Sequence, residues 1–165
     1  MKNEGESGTR MMGWALLAAL LLAGCASLHS ANPQLPQARE QAQIQQRLQD
    51  VFAAAESRDF NRLDSYHLYG PKFTKFTSSS TERFDAAAGQ KGEHDDLGGT
   101  KGLKMRADAL KIDVFDNVGI ATFILDCSFE SGGEVVHKTH RSTLVFVKEG
   151  GEWKIAHEHL SPIDR

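Results

Sequence analysis

Four polar side chains towards the C-terminus could form a ligand site: Asp126, Arg141, His157 and His159. The guanidinium of Arg141 offers a planar fork of donors to a polar or anionic molecule, and each imidazole can donate or accept. We therefore predict that these residues bind a small or polar ligand, and we assign no catalytic residue. Two alternatives stay open: a structural network in which Asp126 neutralises Arg141, and general-base catalysis by Asp126 or a histidine.

Metal chemistry is the other possibility that histidines and acidic residues raise. His157 and His159 would share one face of a strand, but a zinc site needs further ligands, for which His137 and Asp126 are the nearest options. The run Glu93–Asp96 places four possible ligands in succession, and these cannot all point at one ion without the glycine and spacing of a calcium loop. We expect no metal and no cofactor.

The element that must position the histidines is a C-terminal β-hairpin. Residues His140–Ser161 form two runs rich in valine, leucine, isoleucine, phenylalanine and tryptophan, joined at Gly150–Gly151. Glycine accepts the positive φ that a tight reversal requires. Side chains alternate between the two faces of a strand, so Arg141 would lie on one face of the hairpin and His157 and His159 would follow it there.

The register of this hairpin decides which residues share that face. A three-residue loop over Glu149–Gly151 would pair Lys148 with Glu152 and place Arg141 opposite His159. A two-residue loop would turn both histidines to the other face, because a shift of one residue inverts every side chain. The predicted site depends on the three-residue loop.

A second hairpin places the remaining polar residues. Gly132–Gly133 would reverse the chain as a two-residue turn, which puts Asp126 opposite Thr139 and Ile124 opposite Arg141. The four polar residues would then share one face of three adjacent strands. The opposite face is apolar and carries Phe123, Leu125, Phe129, Leu144, Phe146, Ala156 and Leu160. One helix cannot cover both faces, so we expect the uncovered face to contact a partner subunit in a homodimer.

Two helices precede the strands. Apolar residues recur at helical spacing from about Gln37 to Glu56. This stripe consists of Ile44, Leu48, Val51, Phe52 and Ala55. Asp59 is the expected N-cap of a short second helix, after which His67 and Tyr69 could reach the mouth of a pocket. Helices followed by an antiparallel sheet are the α+β arrangement.

The segment between the helices and the strands is expected to be mostly loop. Residues 78–102 are rich in glycine and serine, and only Arg83–Ala88 has the pattern of a helical turn or two. From Leu103 to the C-terminus apolar and polar residues alternate, which predicts four strands in sequence.

The composition is that of one globular domain. The 165 residues are 40% hydrophobic and 25% charged, with a formal net charge of −3, which provides enough apolar material for a core. A mildly acidic chain without a basic stripe is not attracted to nucleic acid. We exclude nucleic acid as a partner.

The N-terminus has the pattern of a bacterial lipoprotein signal. Basic residues precede an apolar run over Met11–Leu22, which is too short to span a bilayer comfortably and ends in Leu-Ala-Gly-Cys at positions 22–25. This ending resembles a lipobox, which implies cleavage before Cys25 and attachment of lipid to its thiol. By resemblance to lipoproteins of Gram-negative bacteria, Ala26 implies sorting to the outer membrane, with the domain in the periplasm.

These features divide the chain into a signal peptide (1–24), a flexible tether (25–36) and a folded domain (37–165). The lipid on Cys25 would hold the protein to the membrane. The sequence has two cysteines, so Cys127 would be left without a partner, and we expect no disulfide. Cys127 is expected to be a small buried side chain in a strand.

The C-terminal motifs resemble the nuclear transport factor 2-like (NTF2-like) superfamily, which includes ketosteroid-isomerase-like and polyketide-cyclase-like proteins. The residues concerned are Arg141-x-Thr143-x-Val145, Gly151-x-Trp153-x-Ile155, His157-x-His159-x-Ser161, Val118–Thr122 and the long N-terminal helix. The resemblance implies a cone: a strongly bent sheet around the first helix, a pocket at the open end, and a dimer. Ketosteroid isomerases use a carboxylate base with a tyrosine and an acid. These residues have no one-for-one match here, because Asp126 is the only acid that we place on the candidate wall and the first helix has no tyrosine.

We therefore expect a cone-shaped α+β domain, carried by a periplasmic lipoprotein, whose pocket binds a small or polar ligand without catalysis. Two alternatives stay open. One is a ketosteroid-isomerase-like enzyme, an isomerase, lyase or hydrolase, that uses the same pocket. The other is a dimeric scaffold without a ligand.

Replacing Cys25 by serine tests the lipoprotein assignment. A serine hydroxyl cannot form the thioether to diacylglycerol, so Cys25→Ser is expected to abolish incorporation of labelled palmitate in cells, while Cys127→Ser incorporates label like the wild type. Intact-mass spectrometry should show the same loss of lipid. Equal labelling of Cys25→Ser and wild type would make the assignment wrong.

Overall fold

A computed structural model describes residues 34–163 of the chain. These residues form α1 (Gln34–Ser57), α2 (Phe60–Ser65), β1 (Thr74–Phe76), α3 (Ala86–Gly98), β2 (Lys101–Phe115), β3 (Val118–Ser131), β4 (Glu134–Glu149) and β5 (Glu152–Pro162). Helices on the N-terminal side are followed by a curved sheet, so the predicted α+β class is confirmed.

Part of the predicted organisation lies outside the described residues. The signal peptide 1–24, the lipid site Cys25 and residues 25–33 of the tether belong to this part. Helix α1 begins at Gln34, so residues 34–36 of the predicted tether are helical. Among residues 34–163, no helix is both long enough and apolar enough to cross a membrane.

The strands form one sheet in the order β1-β5-β4-β3-β2. Strands β2 to β5 run antiparallel as the predicted meander. Strand β1 is a parallel edge strand, in which Thr74 pairs with His157 and Phe76 with His159. The sheet is therefore mixed, because β1 pairs in parallel with β5 whereas the four strands of the meander pair antiparallel.

The hairpin between β3 and β4 has the predicted register. Gly132 and Gly133 adopt positive φ angles of 62° and 86° and form a two-residue turn. Asp126 consequently pairs with Thr139, as expected. Positive φ at both central residues gives the turn a twist that matches the twist of the flanking strands.

The predicted loop of the β4–β5 hairpin is wrong. Gly150 and Gly151 alone make the turn, with φ angles of 60° and 88°, and Glu149 rather than Lys148 pairs with Glu152. Two consecutive glycines favour this tighter turn, since both residues reach positive φ without a steric penalty.

A β-bulge in β5 compensates for the shorter turn. The pairing shifts between Val145 and Phe146 of β4, which makes Ala156 the extra residue on β5. Before the bulge, Trp153 and Ile155 are buried against the core. A bulge reverses the alternation of side chains beyond it. A two-residue turn without a bulge would direct His157 and His159 to the inner face, and the bulge at Ala156 directs them to the outer face instead.

The histidines after the bulge lie on the outer face of the sheet, the face away from α1. Thr143 pairs with His159 and Arg141 with Ser161, so each partner is two residues further along β5 than predicted. A shift of two residues preserves the alternation of side chains. The four predicted polar residues therefore share one face, although by a different register.

The core lies between α1 and the inner face of the sheet. The predicted helical stripe is confirmed, with Ile44, Leu48 and Val51 buried. They belong to a cluster that includes Ala121, Phe123, Leu125, Leu144, Phe146, Trp153 and Ile155. Every member of this cluster lies between residues 44 and 155. A chain that begins after Cys25 therefore contains all of these core residues and is expected to fold by itself.

The start of α2 is as predicted. The side chain of Asp59 caps the helix by accepting a hydrogen bond from the backbone N–H of Arg62 at 3.1 Å. Such a cap satisfies one of the free N–H groups at a helix start. The chain then turns towards β1 and brings His67 and Tyr69 to the edge of the sheet.

The expectation of loop over residues 78–102 is wrong, because α3 occupies the middle of this segment. Asp85 caps the helix by accepting a hydrogen bond from the N–H of Ala88 at 2.9 Å. Gly89 is buried, and a Cβ atom there would lie 2.8 Å from the ring of Phe73. This glycine permits a close approach of the helix to the core, so it does not break the helix, and α3 has no continuous apolar stripe that would have indicated a helix.

At Gly119, β3 closely approaches Ile44 of α1, and replacing this glycine by alanine tests the packing. The added Cβ would lie 2.2 Å from Cδ1 of Ile44. Overpacking of this kind costs about 1–3 kcal/mol, so Gly119→Ala should lower the free energy of unfolding measured in urea. In Gly92→Ala, where nothing lies within 4 Å of the new Cβ, α3 should gain about 0.5–1 kcal/mol. Equal stability of the two variants would contradict the packing.

Candidate functional site

The two charged residues of the predicted site are bonded to other partners than expected. Asp126 accepts a hydrogen bond from Nη2 of Arg106 at 2.9 Å. Nη1 of Arg141 donates to the carbonyl oxygen of Pro162 at 3.2 Å. Among the described residues, Asp126 therefore neutralises an arginine of the neighbouring strand rather than Arg141.

The two histidines contact the edge strand β1. Nδ1 of His157 is hydrogen-bonded to the hydroxyl of Thr74 at 2.8 Å. The ring of His159 lies with its centroid 5.7 Å from that of Phe76. The four predicted residues thus share the outer face without contacting one another as a group, and ligand binding by them stays a prediction.

A cavity of about 400 Å³ lies on the inner face of the sheet, below α1 and α3. Its apolar lining consists of Val51, Phe52, Leu97, Leu103, Met105, Phe123, Leu125, Phe129, Leu144, Ile155 and Leu160. The inner end is buried, and the outer end reaches the exposed residues Ser79, Asp96 and Lys138. Sites for small molecules commonly have such volumes and largely apolar walls. The four residues of the outer face do not line this cavity.

Five side chains form an ionic cluster at the buried end of the cavity: His67, Tyr69, Lys75, Glu93 and Glu158. Nζ of Lys75 lies 2.9 Å from Oε2 of Glu158 and 3.5 Å from Oε1 of Glu93. Nε2 of His67 lies 2.8 Å from Oε1 of Glu158, and the hydroxyl of Tyr69 donates to Oε2 of Glu93 at 2.9 Å. The charged members line the cavity wall.

The hydrogen bonds require a proton between His67 and Glu158. Nδ1 of His67 faces the carbonyl oxygen of Leu63 at 2.9 Å, and because a carbonyl only accepts, Nδ1 carries a proton. Nε2 faces a carboxylate oxygen, so this contact needs a second proton. Burial lowers the pKa of His67, but the hydrogen bond to Glu158 and the charges of Glu158 and Glu93 outweigh it and raise the pKa above its usual value. His67 is therefore an imidazolium.

Opposite charges keep Glu158 and Lys75 ionised. Burial raises the pKa of Glu158, but the ammonium of Lys75 and the hydrogen bond from His67 outweigh it, so this pKa lies far below its usual value. Burial lowers the pKa of Lys75, and the two carboxylates outweigh it and raise this pKa. Burial and the charge of Glu93 raise the pKa of Tyr69, so the phenol keeps its proton. Two cations thus balance two anions.

Three members of the ionic cluster also have the donor atoms of a metal site. Ligand atoms of His67, Glu93 and Glu158 lie within 4.8 Å of one another. The ammonium of Lys75, however, already occupies the position of a cation between the two carboxylates. A divalent ion would have to displace this ammonium and remove a proton from His67. The donor set therefore does not fit a metal.

The edge of the sheet brings the ionic cluster together. Leu68, next to His67, donates its N–H to the carbonyl oxygen of Ile155 at 2.7 Å, which docks the connection after α2 onto β5. Lys75 pairs directly with Glu158 in the parallel β1–β5 ladder. Directly paired residues project to the same side of a sheet, so both charges enter the same buried space.

The bulge in β5 decides that this carboxylate is buried. Without the extra residue at Ala156, Glu158 would alternate to the outer face and His157 would face inward. Glu158 is 5% exposed. Sequence reasoning missed this residue, although it lies between the two histidines that were singled out, because a bulge leaves no clear mark in an alternating pattern.

The remaining cluster members were partly visible in the sequence. His67 was predicted near the pocket mouth, and it lines the cavity at its buried end. Glu93 was dismissed as part of an acidic run in a loop. Lys75 lies on β1, two positions after the buried Phe73, and a buried lysine requires a buried acid. That pairing rule is the signal that could have found the cluster.

Two residues of the cavity lining each have a buried polar atom without a hydrogen-bond partner in the described part of the chain: Oγ of Ser142 and Nδ1 of His140. Ser142 is 4% exposed. Burial and the charge of Lys138 lower the pKa of His140, so this ring is neutral at pH 7. Nε2 of His140 lies 3.3 Å from the hydroxyl of Ser78.

Residues 44–165 match the SnoaL-like domain family, so the chain belongs to this family. Among curated proteins, none matches the sequence. The predicted resemblance to the NTF2-like superfamily is confirmed at the level of the fold.

Solved structures of NTF2-like proteins share this fold at low sequence identity. One is an NTF2-like protein of Streptomyces avermitilis proposed to be a dehydratase, with a TM-score of 0.71 and 15% identity over 78% of this chain and 99% of that one. An NTF2-like superfamily protein of Salmonella enterica has a TM-score of 0.68 and 19% identity over 78% and 94%. The hub homology domain of calcium/calmodulin-dependent kinase II from Chlamydomonas reinhardtii has a TM-score of 0.65 and 16% identity over 76% and 98%.

Replacing Glu158 by glutamine tests the ionic cluster. The variant leaves two buried cations facing one carboxylate, and breaking such a group costs about 3–5 kcal/mol, measured as the free energy of unfolding in urea at pH 7. Glu152→Gln changes an exposed glutamate of the same strand and is expected to stay within about 0.5 kcal/mol of the wild type.

The pH dependence of the same measurement checks the charge of Glu158. Its pKa is lowered in the folded state, so its contribution is present above the ordinary glutamate value of about 4.3 and is lost as the pH falls below it. The wild type should therefore lose more free energy of unfolding than Glu158→Gln as the pH falls from about 5 to about 2. This window begins just above the ordinary glutamate pKa and extends below it. Parallel curves would show that Glu158 is not ionised in the fold.

Proposed function

We propose that this protein binds a small, mainly apolar molecule in the cavity on the inner face of its sheet. The observation that carries the proposal is the cavity itself: about 400 Å³, walled by aliphatic and aromatic side chains and reaching the surface at one end. A buried apolar cavity that is open to solvent favours an apolar occupant, because the occupant removes its own apolar surface and that of the walls from water.

Binding without catalysis is favoured by the way the ionic cluster is bonded. Both nitrogens of His67 are engaged, one by the carbonyl of Leu63 and one by Glu158. Both carboxylate oxygens of Glu158 are engaged as well, by His67 and by Lys75. A general acid or base needs a proton or lone pair directed at the substrate, and here the protons are shared within the cluster.

Catalysis remains the second candidate, because one observation favours it. His67, Lys75 and Glu158 are ionised groups with shifted pKa values in a cavity wall, and such groups concentrate at active sites. An isomerase, lyase or hydrolase would need a substrate that displaces Lys75 or Glu93 from the cluster. If the protein is an enzyme, Glu158→Gln should abolish turnover. If it is a binding protein, the wild type should show no turnover either.

The location proposed for this activity is the bacterial cell envelope. The support is the sequence at positions 22–25, which resembles a lipobox, and the apolar run before it. A lipid on Cys25 would leave the domain in the periplasm, tied to the outer membrane. A protein placed there would bind molecules that cross or remain in the envelope.

The outer face of the sheet is the surface proposed for a homodimer. Ile124, Thr143 and Val145 lie on this face and are half-buried, and no helix of the described residues packs over it. Arg106 and Asp126 supply an ion pair on the same face. A two-fold axis would place such a surface against its own copy. A dimeric scaffold without a ligand would use this same surface.

Filling the cavity is the direct test of the proposed function. Cys127 lines the cavity, and burial raises the pKa of its thiol to about 11, so it contributes no charge there. Cys127→Trp is expected to lower the occupancy of a co-purifying small molecule roughly tenfold, since an overfilled site rejects its occupant. Native mass spectrometry of the chain from Ala26 onward measures this occupancy.

Ser128→Trp is the matched control, because the neighbouring Ser128 projects to the outer face and should leave occupancy unchanged. Equal occupancy in Cys127→Trp and wild type would place the ligand elsewhere. Loss of the ligand in Arg141→Ala would then assign it to the outer face.

A further inference from the structure

We infer that the ligand of the cavity carries an uncharged oxygen group, a hydroxyl or a carbonyl, and that Ser142 with His140 recognises it. The inference rests on the proposed function and adds the chemical class of the ligand. It starts from two buried atoms of cavity-lining residues, Oγ of Ser142 and Nδ1 of His140, that have no partner among the described residues.

The surroundings of Ser142 make its missing partner costly. On the neighbouring strands it pairs with Phe123 and Leu160, and Leu144 follows on the same face of β4. All three side chains are apolar and line the cavity. A buried hydroxyl without a hydrogen bond loses its hydration and gains nothing in return. An alanine or valine would suit this apolar wall better unless the hydroxyl serves a bound molecule.

His140 lies beside Ser142 on the same wall. The two residues are two positions apart on β4, so their side chains leave the same face of the sheet roughly 7 Å apart. Ser142 can donate or accept through rotation of its side chain, and Nδ1 of His140 can do either according to its tautomer. Together they can bind one oxygen group directly, or two neighbouring polar atoms of the same ligand.

The charges of the cavity favour an uncharged group. The ionic cluster is neutral as a whole and internally paired, and His140 is a neutral ring at pH 7. An anion at Ser142 would lose its hydration without meeting a free cation of that cluster. Lys138 lies at the exposed end of the cavity, with its Nζ 5.5 Å from the centroid of the Phe129 ring. Among the described lining residues, Lys138 is the cation that lies outside the ionic cluster and would favour an anion, so the test must include an anionic probe.

Three probes of one shape separate these possibilities: 2-naphthol, 2-methylnaphthalene and 2-naphthoate. Calorimetric titration of the chain from Ala26 onward should show 2-naphthol binding roughly three- to tenfold more tightly than 2-methylnaphthalene, the worth of one net hydrogen bond. Ser142→Ala should bring the two probes to within about twofold of each other, since the hydrogen bond is lost and the apolar contacts stay. Thr143→Ala, on the outer face, should retain the preference.

The melting temperature of Ser142→Ala separates recognition from a structural role. A hydroxyl without a partner contributes nothing to stability, so the empty variant should melt at or above the temperature of the wild type. A fall of more than roughly 4 °C, the equivalent of a lost hydrogen bond in a domain of this size, would show that Ser142 has a structural partner, and the inference would be wrong.

The remaining outcomes distinguish the inference from the proposed function. Equal binding of 2-naphthol and 2-methylnaphthalene by the wild type would overturn the inference and leave cavity binding intact. Tightest binding of 2-naphthoate would also overturn it, in favour of selection by Lys138. Binding of none of the three would contradict the proposed function itself, and the inference with it.

Discussion

The buried carboxylate of Glu158 is the contact on which the described domain depends. It joins three separate parts of the chain: β5, on which it lies, the connection after α2 through His67, and the edge strand β1 through Lys75. Two cations face it and Glu93 balances the second charge, so removing any one partner leaves an unpaired charge at the buried end of the cavity. The edge of the sheet, the approach of α3 and the buried end of the cavity all follow from this arrangement.

The cavity exists because one helix covers only part of a curved sheet. Where β3 carries Gly119, α1 approaches so closely that Ile44 fills the space. Further along β3, the inward positions from Phe123 to Phe129 line the cavity. α3 closes one side of it and approaches through Gly89 and Glu93 rather than through an apolar stripe. The cavity therefore begins along β3 where the close packing of α1 on the sheet ends.

The two faces of the sheet divide the polar residues by function. The outer face holds the residues whose alternation is obvious in the sequence, Asp126, Arg141, His157 and His159, and these are bonded mainly to strand neighbours. On the inner side, Lys75, Ser142 and Glu158 are buried, and burial is what makes an unpaired hydroxyl or a shifted pKa informative. The site supported by the fold is therefore on the face that the sequence marks as apolar.

The sequence by itself determined the helical stripe of α1, the cap of α2, the four-stranded meander and the β3–β4 register, because these depend on local periodicity and on glycines that accept positive φ. Only the tertiary structure decided the rest. The bulge at Ala156 follows from fitting a two-residue turn to a buried sheet face, and no pattern within β5 specifies it. The meeting of Lys75, Glu93 and Glu158 depends on a parallel edge pairing and a helix without an apolar stripe, which are contacts between distant segments. Local pattern fixes which elements form, but the partners of a buried charge are fixed only when those elements pack.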